Sequence, residues 1–308
     1  MKKDLQQAEA KKASKEQSEL EIQKHFNNPE LGKTKHLIVI GDSRDMKSVK
    51  NNSVHLMVTS PPYFNAKDYS FWSTLDDYLK DMRATFTECF RTLVPGRKFC
   101  LNISDLPEKG NSGVRWIPLG SELLRVCRDV GFELVDRVIW FKTPIKGFQY
   151  GSLPYPPSPL ICDSMEYIYI LRKPNGVKPD YSHLSKLQKE ASRLTRAEYA
   201  EYTKQLWTMR RVRIKGNEDG HIAPFPDELP HRCIKLYSFV GETVLDPFGG
   251  SGTTTKTAIL NKRHSVLYEI KKDYLKHIKE KVGLSGAKPT LFLDDPMSNA
   301  EVEIIYEK

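Results

Sequence analysis

Two short stretches of this 308-residue chain gather residues that could do chemistry. The first is Thr59-Ser60-Pro61-Pro62-Tyr63. Adjacent prolines stiffen the backbone and remove two N–H donors, leaving carbonyl oxygens free to accept hydrogen bonds from outside the chain. The Ser60 hydroxyl and the Pro61 carbonyl together can grip both hydrogens of an exocyclic amino group, and Tyr63 offers a flat face on which a base stacks. A lone Pro-Pro-Tyr more often serves only as a strand-ending turn over the core. The second stretch is Asp246-Pro-Phe-Gly-Gly-Ser-Gly-Thr-Thr254. Its glycines let the backbone approach a ligand closely, and a helix N-terminus after them presents unpaired N–H groups to an anion. Glu269, twenty residues beyond Gly249, suits a pair of ribose hydroxyls, which need an acceptor. No Gly-Lys-Ser/Thr follows, so the loop is not a phosphate-cradling P-loop. The pattern fits nicotinamide, flavin and adenosyl-methionine sites alike; a tight turn with no ligand is the weaker reading, because three glycines in four residues are costly unless something must come close.

Both stretches need a strand before them, since ligand crevices of open α/β sheets lie at the carboxyl ends of strands. The apolar runs 36–41 and 54–59 read as strands buried on both faces of a parallel sheet. The spacing of Leu75, Tyr78, Leu79, Met82, Phe86, Phe90 and Leu93 predicts a helix over 74–93, with Ser73 and Asp76 resembling a capping box and Pro95-Gly96 ending it. A strand over 98–103, a helix over 119–130 closed by Gly131 and a strand over 132–141 follow. The same rhythm returns with a strand at 243–246, a helix at 253–260, a strand at 265–269 and a basic helix from Lys271. Alternation of this kind gives a doubly wound, mostly parallel α/β sheet.

Five segments follow from these shifts in pattern. Residues 1–35 form a charged N-terminal arm with little to bury, read as a solvated or frayed segment. Residues 36–143 form one α/β half and 221–285 the other. Residues 144–220 are an insertion with a proline-rich loop, one strand-like run at 166–171 and a polar, helix-prone segment to Trp207. Residues 286–308 read as an acidic tail. The chain carries 48 Lys and Arg against 39 Asp and Glu, a net charge of +9 that points to polyanionic partners. Between Arg172 and Lys215 stand twelve basic residues and four acids, so a surplus of eight falls inside the insertion. A solvated helix face explains such a run as readily as a nucleic-acid contact does.

Five scattered cysteines without a C-x-x-C pair indicate free thiols in a reducing compartment, and no histidine spacing suggests a metal site. No apolar region follows the basic N-terminus, and the longest uncharged run holds four prolines, which excludes a signal peptide and a membrane helix there. These features predict a cytoplasmic protein away from membranes.

Together the two motifs resemble the DNA amino-methyltransferases, which use S-adenosyl-methionine to methylate the exocyclic nitrogen of cytosine or adenine. The resemblance covers about residues 36–280. The catalytic motif precedes the cofactor loop, with a variable target-recognition segment between them, as in the permuted beta group. The resemblance implies a Rossmann-like methyltransferase sheet in permuted order. It assigns catalysis to Ser60, Pro61, Pro62 and Tyr63, and cofactor binding to Asp42, Ala223, Phe225, Asp246, Phe248, Gly249, Gly250, Gly252, Thr253 and Glu269. Serine at position 60 is the form most associated with cytosine N4 transfer, where aspartate predominates in adenine enzymes. Double-stranded DNA is then the partner, with Arg172, Lys173, Arg210, Arg211 and Arg213 the residues expected to contact it, and a companion restriction endonuclease is implied.

The chemistry stands without the family. An exocyclic amine is a weak nucleophile because its lone pair is delocalised into the ring. Hydrogen bonds from both hydrogens to Ser60 and Pro61 favour a tetrahedral nitrogen, whose freed lone pair attacks the sulfonium methyl in line. A base inside a duplex cannot reach such a site and must be flipped out. Carbon-5 transfer needs a cysteine nucleophile, usually after proline, and no cysteine here follows proline. Adenine N6 transfer, methylation of RNA or a protein amide, and a silent cofactor-binding protein are the competing readings.

Overall fold

The computed structural model describes residues 2–65, 72–110, 113–143, 161, 163–176, 180–212, 225–284 and 299–307. Helix α1 (Lys2–Phe26) leads into β1 (Thr34–Ile40), β2 (Val54–Thr59), α2 (Leu75–Thr92), β3 (Leu93–Ile103), the antiparallel pair β4 (Leu106–Gly110) and β5 (Gly113–Ile117), and α3 (Leu119–Val130). Then follow β6 (Glu133–Thr143), β7 (Met165–Arg172), α4 (Lys186–Ala191), α5 (Arg196–Tyr202) and β8 (Leu206–Arg210). The chain ends with α6 (Glu228–Tyr237), β9 (Thr243–Asp246), α7 (Thr253–Leu260), β10 (His264–Glu269), α8 (Tyr274–Lys281) and β11 (Ala300–Tyr306).

Among the described residues, nine strands form one sheet in the order β11-β1-β10-β9-β2-β3-β7-β6-β8. It is parallel except at β7, which runs against both β3 and β6. Helices cover both faces. Strand alternation sends Val39, Met57 and Leu245 to the face packed by α2 and α3, where Phe86, Leu119 and Leu123 lie. The intervening residues Leu56, Val58 and Val244 face α6 and α7 through Leu229, Cys233, Ile234 and Ala258. Strand β2 connects through α2 towards β3, and β9 through α7 towards β10 in the other direction. The two strands are neighbours, so their carboxyl ends flank the switch point where such sheets bind ligands.

Several sequence expectations shift in the structure. The cap of α2 is Thr74, one residue beyond Ser73: its hydroxyl accepts from the Asp77 N–H at 3.1 Å. Pro95 and Gly96 do not form a turn that ends α2 but lie inside β3, where the register against β2 slips between Val54 and Leu56. The segment expected as an insertion contributes β7 and β8 to the same sheet, and Trp207, expected to close a helix-prone stretch, is a fully buried β8 residue. The expected acidic tail contains β11, which pairs with β1 from Thr34–Ala300 to Ile40–Tyr306. Charged residues Glu301 and Glu303 alternate there with Val302 and Ile304, which reach the core beside α8. The charged arm is also docked. Ile22 of α1 is buried, α1 packs on α4, and the Phe26 ring and carbonyl hold the Lys262 ammonium. Among the described residues no helix is long and apolar enough to cross a membrane.

Candidate active site

Among the described residues, the turns that carry the two motifs and their acidic partners lie along the carboxyl edge of the parallel strands, in sheet order. Asp42 follows β1, Glu269 ends β10, the glycine loop follows β9, and Ser60-Pro-Pro-Tyr63 follows β2. Farther along come Asn102 and Ser104 at the end of β3, Glu166 at the start of β7, Lys142 near the end of β6, and Arg210 at the end of β8.

The glycine loop is shaped by contact. A Cβ on Gly249 would lie 2.2 Å from Leu267 Cγ, which no real side chain tolerates, and Gly250 and Gly252 take φ of +52° and +83°. The Gly249 N–H donates to the Tyr268 carbonyl at 2.8 Å, locking the loop to β10. Glu269 accepts from the Gly250 N–H at 2.8 Å and the Lys271 N–H at 2.9 Å. Burial outweighs those two bonds and pushes its carboxyl up to about 7. The hydroxyls of Ser251 and Thr253 each receive the Lys281 ammonium at 2.8 Å.

Asp246 faces inward. Its Oδ1 accepts from the Thr59 hydroxyl at 2.5 Å and the Phe248 N–H at 3.1 Å, and burial raises it to about 6. The residue before Ser60 is thereby bolted to the residue that opens the glycine loop. Asp42 is partly exposed and gripped by Arg44, which also reaches Asp81. Partial burial raises the Asp42 carboxyl, but the hydrogen bonds and charge of Arg44 prevail and hold it low. Phe248 packs against the α2–α3 side of the core and Phe225 against the α6–α7 side.

Pro61 is buried, while Ser60, Pro62 and Tyr63 are half-buried. The Tyr63 hydroxyl donates to Glu166 Oε2 at 3.1 Å, and Asn102 Nδ2 donates to the same oxygen at 3.0 Å. The other Glu166 oxygen lies 3.4 Å from the Lys142 ammonium, which also pairs with Asp163 at 3.0 Å. Lys142 is only 5% exposed. The sequence reading missed Glu166, Lys142, Asp163 and Asn102. Each stands in a separate segment with no local motif, and only the pairing of β7 between β3 and β6 brings them to Tyr63.

The residues expected to meet DNA divide between the two ends of the sheet. Arg210 is exposed beside Thr143 at the carboxyl edge, and Arg211 donates to the Asp163 carbonyl at 3.0 Å. Arg172 sits at the opposite end, opposite Lys98 of β3 and ion-paired with Glu133. Lys173 is not available for a phosphate: it is 9% exposed and its ammonium donates to Asn52 and to the Leu93 carbonyl beneath the sheet. Helices α4 and α5 pack at that same end, where Gln188 donates to the Val240 carbonyl and Glu198 pairs with Lys235. Ala223 and Arg213 lie outside the described residues. At the amino end, His55, His183 and Glu242 place ligand-type atoms within 4.8 Å of one another, though no spacing in the sequence suggests it. Glu242 is already ion-paired with Arg97 and accepts from the Phe239 N–H at 2.8 Å, so the cluster reads as a charge clamp.

With that geometry in hand, comparison with known proteins gives a consistent result. The sequence profile of the N6/N4 family described as DNA methylase matches residues 54–280. The Type II methyltransferase M.MjaI of Methanocaldococcus jannaschii is 33% identical over 289 residues, spanning 82% of this chain and 92% of that protein. A Thermus thermophilus protein described as a DNA modification methylase, solved with S-adenosyl-L-methionine, superposes with a TM-score of 0.68 at 28% identity over 89% of this chain and 99% of its own. The cytosine-N4-specific PvuII DNA methyltransferase shares the fold, with a TM-score of 0.59 at 20% identity over 89% and 97% of the two chains.

Proposed function

This chain belongs to the N6/N4 DNA methylase family, and from that premise we propose that it moves the methyl group of S-adenosyl-methionine to the exocyclic N4 of a flipped-out cytosine at a specific site in duplex DNA. S-adenosyl-methionine is the methyl donor and DNA the substrate. The relatives' names support the reading of a Type II methyltransferase, and a restriction endonuclease as companion is part of the same proposal. The observation that carries the base assignment is the residue at the tip of β2: a neutral serine, bonded through its neighbour Thr59 to the cofactor loop.

Ser60 and the Pro61 carbonyl accept the two amino hydrogens, Tyr63 stacks on the base, and the nitrogen lone pair attacks the sulfonium methyl carbon. The carbon–sulfur bond breaks with its electrons going to sulfur, and the nitrogen then sheds its surplus proton. The residues proposed to hold the donor are Glu269 at the ribose, Asp42 near the adenine, Phe225 and Phe248 on the adenosyl group, and Gly249, Gly250, Gly252 and Thr253 around the methionine portion; Asp246 acts by holding the loop. Arg210 and Arg211 are proposed phosphate contacts.

The test is transfer of labelled methyl groups into duplex DNA, followed by digestion to nucleosides. N4-methylcytosine is the expected product. Methylated adenine alone would overturn the base assignment, and transfer only to RNA or protein would overturn the substrate.

A further inference from the structure

The two halves of the sheet meet where β2 pairs with β9, and that joint comes apart beside the two motifs. Strand β2 stays paired with β3 to its last residue, Thr59 opposite Leu101, and β9 stays paired with β10 to Asp246 opposite Leu267. Between β2 and β9 the register runs only from Leu56–Val244 to Met57–Leu245. Parting of the two central strands opens the crevice in which such sheets bind ligands. It also ends the main-chain bonds that would fix the turn after β2 against the loop after β9.

Two side chains span the gap. The Thr59 hydroxyl donates to Asp246 Oδ1 at 2.5 Å, and the same oxygen accepts from the Phe248 N–H at 3.1 Å. The Thr254 hydroxyl donates to the Val58 carbonyl at 3.3 Å. Asp246 opens the glycine loop and Thr254 stands in the first turn of α7, so the loop is tied at both ends to the two residues before Ser60. Thr59, Asp246 and Thr254 are each 2% exposed or less, which keeps water from competing for these bonds. Valine has nearly the shape of threonine and no polar atom to bury, so packing alone gives no reason for a hydroxyl at either place.

We infer that Thr59 and Thr254 are positioning residues: where main-chain pairing between the halves stops, their hydroxyls hold the amine-gripping turn and the methyl-donor loop at the separation that in-line transfer needs. This rests on the DNA amino-methyltransferase reading of the two turns. The residues proposed to hold the adenine, ribose and methionine portions follow β1, β10 and β9, on one side of the joint, and Ser60 and Pro61 follow β2 on the other. Each substrate is bound mainly within one half, whereas transfer needs both halves in register. Reacting atoms must come within about 3–3.5 Å in line, and a misplacement of about 1 Å can slow reaction about 100-fold.

The experiment measures single-turnover transfer of labelled methyl groups from S-adenosyl-methionine to a duplex of the recognised sequence, which is mapped first from methylated DNA of cells expressing the chain. Affinities for S-adenosyl-methionine and for the duplex are titrated on the same full-length proteins, with folding followed by circular dichroism. Thr59→Val is expected to slow transfer at saturating substrates about 10- to 100-fold, with both affinities within about three-fold of wild type. Thr254→Val, which loses a longer bond to a neutral carbonyl, should slow it about 3- to 10-fold. That variant leaves no buried carboxylate short of a donor and stays informative if Thr59→Val fails to fold. Thr59→Ser and Thr254→Ser keep the hydroxyl and should transfer within about three-fold of the wild-type rate. A wild-type rate in either valine variant that folds would overturn the inference. So would a slowing matched by lost affinity for S-adenosyl-methionine, which would make the threonines binding residues. Serine variants as slow as the valine ones would overturn it too, since the lost methyl group and not the hydroxyl would then be responsible. A wild-type chain that transfers no methyl group to DNA would instead overturn the functional reading itself.

Discussion

At the residue scale, the site depends on a few side chains whose states the fold sets. On the proposed mechanism, Ser60→Ala removes an acceptor used more strongly as the amine becomes tetrahedral. It should lower kcat by about 100-fold while leaving cofactor affinity intact, which single-turnover transfer and direct titration of S-adenosyl-methionine would check. Glu269 carries a pH signature. Its carboxyl is raised from 4.5 to about 7 by burial, so the ligand-free folded chain binds more protons than the unfolded chain across that window. Stability of the free protein therefore falls as pH climbs from about 4.5 to 7. With Glu269 at the ribose, as proposed, the ribose hydroxyls would donate to the ionised form, so affinity for S-adenosyl-methionine should move the other way. A rise of roughly ten-fold between about pH 6 and 8 is expected, and Glu269→Gln should flatten it. Calorimetric titration across that range measures both.

At the element scale, two turns between strand and helix and one edge strand carry the arrangement. The loop after β9 fits only without a side chain at position 249. Gly249→Ala should cost about 1–3 kcal/mol in denaturant unfolding and weaken cofactor binding, because Leu267 Cγ stands 2.2 Å from the new carbon. Strand β11 leads into Glu307, whose carboxylate accepts from the Ser48 N–H at 2.9 Å and the Tyr268 hydroxyl at 3.1 Å. Those bonds brace the β1 turn that carries Asp42. Glu307→Ala leaves these donors without their partner, and a loss of about 1–3 kcal/mol in unfolding free energy is expected, with catalysis otherwise unaffected at saturating cofactor. The helix over 75–92 was legible from its apolar spacing, and the glycine loop from its composition. Strand β11 was not, since an edge strand whose core-facing side chains are Ala300, Val302 and Ile304, set among acids, reads as polar chain.

At the scale of the whole molecule, the basic surplus is not one surface. Arg210 stands at the carboxyl end of the parallel strands, whereas Arg172, Lys173 and the α4–α5 segment stand at the other. Arg210→Ala should reduce the slope of log affinity against log salt by about 0.9, while Arg172→Ala should leave it unchanged; DNA binding measured over a salt series distinguishes them. The sequence by itself determined the motifs that mark the family and the α/β class, because a Pro-Pro turn, a run of glycines and the period of apolar residues are properties of neighbouring positions. Only the tertiary structure decided what those residues touch. The antiparallel insertion of β7 brings Glu166 to Tyr63 across 103 positions, and the pairing of β2 with β9 joins Thr59 to Asp246 across 187. Side-chain charge is visible in a sequence, but the end of the sheet that it serves follows from strand order and direction. Those are set by packing among distant segments and leave no local mark.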